Sequence, residues 1–267
     1  MNKKVKNIFD IYILYISKYV KRLKQSKVDF IIGISGFFLS QILGLIFINV
    51  IFSKIPHLNG WNIEELIFIY GFSQLPKGID HFLTDNLWKL SSRIIRKGEF
   101  DRYLVRPLNP LFQIICEKVQ FDAIGEITIG MCIIMRAIIN NVIDLSPLKI
   151  ISMIISIIFG SIIICSIKLI FSTLAFWIVN SSSIMQLVYE MNEFTKYPLD
   201  IYSVVLKNLL IWVIPFGTVT YLPVKYFCDK DSFINTILVE MVVMIIFSIG
   251  SYIFFEKGMN KYESTGN

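Results

Sequence analysis

Between residues 150 and 179 the chain runs for 30 residues with a single charge, Lys168. As a helix rising 1.5 Å per residue this run is about 45 Å long, more than the ~30 Å hydrocarbon core of a bilayer. Two further runs behave alike. Residues 30–52 are uncharged, with polar side chains limited to Ser35, Ser40, Gln41 and Asn49, and residues 233–255 hold only Glu240. Two weaker runs cover 63–82, where Pro76 is expected to interrupt the helix, and 121–143, where Asp122, Glu126 and Arg136 are embedded. Composition matches: 55% of the 267 residues are hydrophobic and 17% charged, against roughly 25% charged in soluble domains, and mean hydropathy is +0.64. Disorder, collagen-like repeats and a nucleic-acid-binding tail are excluded; the bilayer is the expected solvent.

The charges sort by position. Of 26 basic residues, eight fall in the first 28, opposed only by Asp10. Ile8, Tyr12, Tyr15 and Tyr19 recur there near the helical period, as in a basic amphipathic helix lying in the cytoplasmic interface. The longest polar stretch, 85–118, is also basic: Lys89, Arg93, Arg96, Lys97, Arg102, Arg106 and Lys118 against Asp85, Glu99, Asp101 and Glu117. The positive-inside rule then calls for an even number of spans with both termini cytoplasmic in a multi-pass cell-membrane protein. Six is the expected count, within one domain over 1–267. The segment 176–227 leaves two readings open. Either 183–197 is the fifth span, followed by a membrane-dipping hairpin, or 204–227 spans and the preceding segment lies at the surface. Cys116, Cys132, Cys165 and Cys228 have no C-x-x-C spacing and read as reduced hydrophobes.

Catalytic patterns are missing. The chain has no G-x-x-x-x-G-K-[ST] phosphate cradle, no H-E-x-x-H and no G-x-S-x-G elbow, and two histidines, His57 and His81, are too few for a histidine-rich metal site. No enzyme, resident cofactor, metal or nucleic-acid partner is expected.

The stretch from Leu90 reads LSSRIIRKGEFDRYLVRPLNPLF. Ile94 and Ile95 supply an apolar face, Gly98 ends a turn, and Pro107 and Pro110 redirect the chain. A short amphipathic helix at the membrane surface followed by a fixed corner is the expected result. This phrase resembles the signature joining the second and third spans of bacterial ABC transporter permeases of the type-2 exporter class. KYPLDIY at 196–202, LLIWVIPFGTVTYLPVKYF at 209–227, and Gly60–Trp61 resemble that family's other stretches in order and spacing. The resemblance implies an all-helical, six-span pore subunit without ATPase activity. Such a subunit pairs with a second permease in a homo- or heterodimer and docks separate subunits that bind ATP. It also implies that 86–104 is a cytoplasmic coupling helix and that the N-terminal helix touches the ATPase.

On that reading Arg93, Arg96, Glu99, Asp101, Arg102 and Tyr103 form the ATPase-coupling interface, and Gly98, Arg106, Pro107 and Pro110 fix the corner; the plainer alternative is a solvated loop that sets topology. Glu126 and Lys168 lie at similar depths in consecutive spans and are expected to pair, unless Lys168 snorkels alone. Glu190 and Glu193, spaced i and i+3, share a helix face; they would line a route for a cationic or amphiphilic cargo if 183–197 spans. The alternative function is a membrane-embedded assembly subunit that moves nothing.

Overall fold

The computed structural model describes residues 27–52, 58–144, 146–178 and 180–264, together with Ser17. The interfacial helix expected over 1–28 lies outside the described residues but for Ser17, Lys27 and Val28. Every regular element among the described residues is helical, apart from one isolated bridge between Leu58 and Trp61.

Six helices organise the molecule: α1 (Lys27–Phe52), α2 (Ile63–Thr84), α3 (Ile124–Ile139), α4 (Pro147–Thr173), α5 (Ser182–Met191) and α6 (Val239–Met259). Local chemistry explains their starts. Asn62 and Glu65 form a reciprocal capping box at α2, satisfying two otherwise orphaned donors. Ser146 caps α4 through the Lys149 amide, with Pro147 at the first position, where no N–H is needed. Pro76, expected to interrupt α2, is instead carried within it; Gly160 of α4 leaves room for the ring, since a Cβ there would sit 3.0 Å from Pro76 Cβ.

Helix α2 is the hub, packed along both α3 and α4, while α6 packs along α4. Phe68, Phe72, Phe216 and Phe227 are fully buried in the main core. The α2–α3 approach is close because both present glycine: a Cβ on Gly130 would lie 2.9 Å from the Gly71 carbonyl oxygen and 2.8 Å from Leu75 Cδ2. Leu75 can rotate; the carbonyl cannot. Gly130→Ala is therefore expected to destabilise by about 1 kcal/mol, because overpacking costs of about 1–3 kcal/mol outweigh the ~1 kcal/mol gained in helix propensity. A melting temperature in detergent equal to wild type would refute it.

Hydrogen bonds mark the two ends of the bundle. At one end Glu64 of α2 holds Arg136 and Asn140 at the foot of α3, and Lys149 of α4 holds Asp229. At the other, Gln120 ahead of α3 bonds Phe82 O and Asp85 after α2. The segment from Ser181 to Asp200 crosses between them: Ser181 N donates to Ser91 O beyond α2, and Asp200 bonds Trp61 before α2. The next helices, Val204–Val213 and Phe216–Phe227, are bent by 76°. They start beside Asp200 through Lys207 and return to it through Tyr221, so they form a hairpin at one end. By length and composition the bent pair is a broken span or a re-entrant loop, so both readings of 176–227 stand.

Among the described residues, two helices, Pro147–Ile178 and Ile234–Met259, are by length and composition able to cross a membrane, and the bent pair passes only if taken as one span. Helix α2 has the length, 22 residues, but carries Glu64, Glu65, Lys77 and Asp80, and α3 has only 16 residues.

Candidate functional site

Three polar assemblies interrupt the apolar bundle. The first is built on α2 and its C-cap, where Lys77, Asp80, His81 and the cap residue Asp85 follow at i, i+3, i+4 and i+8 and so share one stripe. Asp80 is 1% exposed and Lys168 of α4 3% exposed, and Lys168 Nζ lies 2.6 Å from Asp80 Oδ2 and 4.0 Å from Asp85 Oδ1. Thr84 donates a further hydrogen bond to the Asp80 carboxylate. Buried Glu126 of α3 faces His81 Nδ1 at 3.4 Å, while His81 Nε2 points to Asp85 at 3.9 Å. Both ring nitrogens thus face carboxylates. Lys77 reaches Glu193 at 2.7 Å, and Lys196 also pairs with Glu193. The Tyr189 ring is within cation–π reach of both Lys77 and Lys168, at 5.7 and 5.8 Å from the two ammonium groups.

This corrects the expected Glu126–Lys168 pair. Helix α2 packs against both α3 and α4, and its own Asp80 and His81 take up Lys168 and Glu126. Glu190 and Glu193 have different partners. The α-helix ends at Met191 and a 3-10 turn, Asn192–Lys196, follows; Glu190 stays exposed with Gln186, while Glu193 turns to Lys77. Lys77, Asp80 and His81 were not singled out from the sequence. Their signal was the i, i+3, i+4, i+8 spacing of ionisable groups inside a weak apolar run. Glu240 of α6 is fully buried, and the polar group it faces is Ser156 of α4.

The second assembly is the surface segment between α2 and α3. It is not one coupling-length helix over 86–104. Short helical turns, Leu87–Lys89, Leu90–Ile94 and Asp101–Leu104, are broken at Gly98, whose φ of +65° suits a residue without Cβ. Its faces are sorted: Leu87, Leu90, Ile94, Phe100 and Tyr103 point inward, while Arg93, Arg96, Lys97 and Arg102 are exposed. Arg93 is held by Glu99 at 2.8 Å. Tyr103 is buried beneath Arg102, whose Nη2 donates to its hydroxyl at 2.6 Å; that hydroxyl donates to Glu117, which also accepts from Arg102 Nη2 at 3.0 and 3.1 Å. Burial and the Glu117 carboxylate push the Tyr103 phenol well above its ordinary value. Asp101 accepts from Ser264 Oγ at 2.6 Å. Arg106 and Pro107 are exposed at the corner, and Pro110 opens the next short helix, Pro110–Cys116, capped by Asn109.

The third assembly joins stretches far apart in sequence at the opposite end. Asn59 and Gly60, with φ of 49° and 81°, make a tight turn closed by paired Leu58 and Trp61 backbone bonds, which aims Trp61 inward. Trp61 Nε1 donates to Asp200 Oδ2 at 3.1 Å, and Lys207 Nζ and Tyr221 OH donate to Oδ1 at 2.6 and 2.7 Å. Asn59 Nδ2 donates to the Asp200 carbonyl at 2.7 Å. Gly60–Trp61, KYPLDIY and the 209–227 stretch therefore converge on one carboxylate. Lys230 lies 4.5 Å over the Trp61 ring and 3.1 Å from Glu65.

Among the described residues no group of three or more potential metal ligands occurs. Residues 38–266 match a protein-family model described as "ABC-2 family transporter protein". No curated protein sequence matches the chain significantly.

Proposed function

The chain belongs to the ABC-2 transporter family, and on that premise we propose that it is the pore-forming permease subunit of an ATP-driven exporter. It would have six spans, work with a second permease, and be powered by separate ATP-binding subunits. The observation that carries this is the sorted segment between α2 and α3: an exposed row of Arg93, Arg96, Lys97 and Arg102 laid over a buried apolar underside. A lone solvated loop has no need of that underside. A docking surface does, because a packed base transmits displacement instead of absorbing it.

The crossings support six spans. Helices α2, α3 and α4, the segment from Ser181 to Asp200, and α6 run between the same two ends, and α1 supplies the sixth. With the basic segment cytoplasmic, both termini are cytoplasmic in the bacterial plasma membrane and the Asp200 assembly faces outward. ATP binding and hydrolysis fall to the partner, since this chain carries no phosphate cradle and would itself be no enzyme. In each cycle closure of the partner ATPases would push on the basic face and alternate access through the permease dimer. The buried charges along α2 would hold the spans in register during that movement.

Co-purification tests the reading. An ATP-binding subunit should come down with the wild-type chain and be lost from the triple variant Arg93→Glu/Arg96→Glu/Lys97→Glu, which should still accumulate folded in the membrane because all three side chains are exposed. Undiminished recovery of the ATPase with the triple variant would remove the docking surface, and ATP turnover by the chain alone would remove the division of labour.

A further inference from the structure

Beneath the exposed basic face lies an apolar core separate from that of the main bundle. Leu87, Leu90, Ile94 and Phe100 of the surface segment share it with Leu169 of α4, Ala175 just beyond α4, and Phe255 of α6. Phe100, fully buried, sits at its centre. Its ring meets Phe176 at 5.1 Å and Tyr262 at 5.0 Å, both edge-on, and Tyr103 at 6.2 Å. Phe176 in turn meets Phe255 at 6.0 Å and Tyr262 at 6.1 Å. Helix α6 closes tightly on this cage, since a Cβ on Gly258 would lie 2.6 Å from Phe176 Cδ2. Ser264, beyond α6, clasps Asp101, the residue next to Phe100.

Chain order predicts a different mechanical connection, because the segment joins α2 to α3. Its backbone link to α3, however, runs through the exposed corner at Val105, Arg106 and Pro107, bridged by the polar bonds of Arg102 and Tyr103 to Glu117. Its link to α2 is the two-residue turn at Asp85 and Asn86. Edge-on aromatic contacts at close-packed density are the stiffer path, since packed interiors compress little and pass strain to their neighbours.

We propose that Phe100 is the positioning residue that makes the surface segment move as one body with the adjoining ends of α4 and α6, so that displacement by the ATPase reaches those two helices first. The proposal rests on the docking reading above. The aromatic cage is the coupling element, and the basic residues only hold the partner.

The test uses the full chain with its ATP-binding partner, reconstituted in lipid. A cysteine placed in the helical turn Ile234–Leu238 that leads into the far end of α6, Ile234→Cys, is labelled with a water-soluble maleimide and read by peptide mass, with and without ATP plus vanadate. With Phe100 present, nucleotide trapping should change labelling at 234 several-fold. Phe100→Ala should abolish that change while the partner still co-purifies and hydrolyses ATP; Phe100→Tyr should preserve it. Where Phe100→Ala does not accumulate, Phe100→Leu serves, keeping apolar volume without the ring edges. A purely structural role would lower yield and leave the nucleotide-dependent change intact in the assembled fraction. That outcome overturns the proposal, as does wild-type labelling at 234 that ignores nucleotide. Failure of the wild-type chain to bring down any ATPase overturns the docking reading instead, and is scored separately.

Discussion

Asp80→Leu, made alone, is expected to cost about 3–5 kcal/mol, the penalty for leaving one member of a buried ion pair uncompensated. Lys168, 3% exposed, would lose its 2.6 Å partner and keep only Asp85 at 4.0 Å. Stabilities of whole domains are ~5–15 kcal/mol, so a loss of this size removes much of the folded population. Lys168→Met should be comparably damaging, because Asp80 is then left buried with the Thr84 hydroxyl as its nearest support. The double variant Asp80→Leu/Lys168→Met is expected to recover most of the loss, since matched apolar side chains replace a buried pair at little or no cost. Melting in detergent across the four-protein cycle reads the coupling directly. A double variant no better than the worse single would show that the pair is not the source of the effect.

Asp200→Asn should have the next largest effect, about 2 kcal/mol: the amide cannot satisfy Lys207, Tyr221 and Trp61 together, and partial exposure screens the lost charge. The expected loss is loosening of the hairpin made by Val204–Val213 and Phe216–Phe227. It should have a pH signature. Burial raises the affinity of the Asp200 carboxyl for its proton, but the hydrogen bonds from Lys207, Tyr221 and Trp61 outweigh burial and hold it below the ordinary carboxylate value. A carboxyl held low in the folded state stabilises fully above its unfolded value of about 4 and loses that contribution as pH falls through the folded one. The difference in melting temperature between wild type and Asp200→Asn should thus be flat from neutral pH down to about 4 and shrink below it. A difference that instead shrinks as pH rises would reverse the sign and exclude this carboxylate as the origin.

Much of this was legible in the chain because it is local. The apolar run read over 63–82 is α2, Ile63–Thr84. The turn at Gly98 and the short helix opened at Pro110 follow from glycine and proline geometry. Lys168 and Glu126 were visible as costly intramembrane charges, yet their partners were not. The expected pairing of consecutive helices ignored that α2 packs against both α3 and α4. Tyr103 shows the same limit: beside Arg102 in sequence it reads as surface, and burial against Phe100 with a bond to Glu117 turns it inward.

From one dimension, then, came the apolar runs, their interruptions, the placement of positive charge and the phrase that starts at Leu90, all properties of neighbouring residues and of transfer between water and lipid. What required three dimensions was the partner of each buried group: Asp80 for Lys168, His81 for Glu126, Asp200 for Trp61 and Tyr221, Phe100 for Phe176 and Tyr262. The reason is physical. Burying a polar or aromatic group demands a complement within a few ångströms, and which side chain stands there depends on how helices distant in the chain pack, a quantity that no local pattern contains.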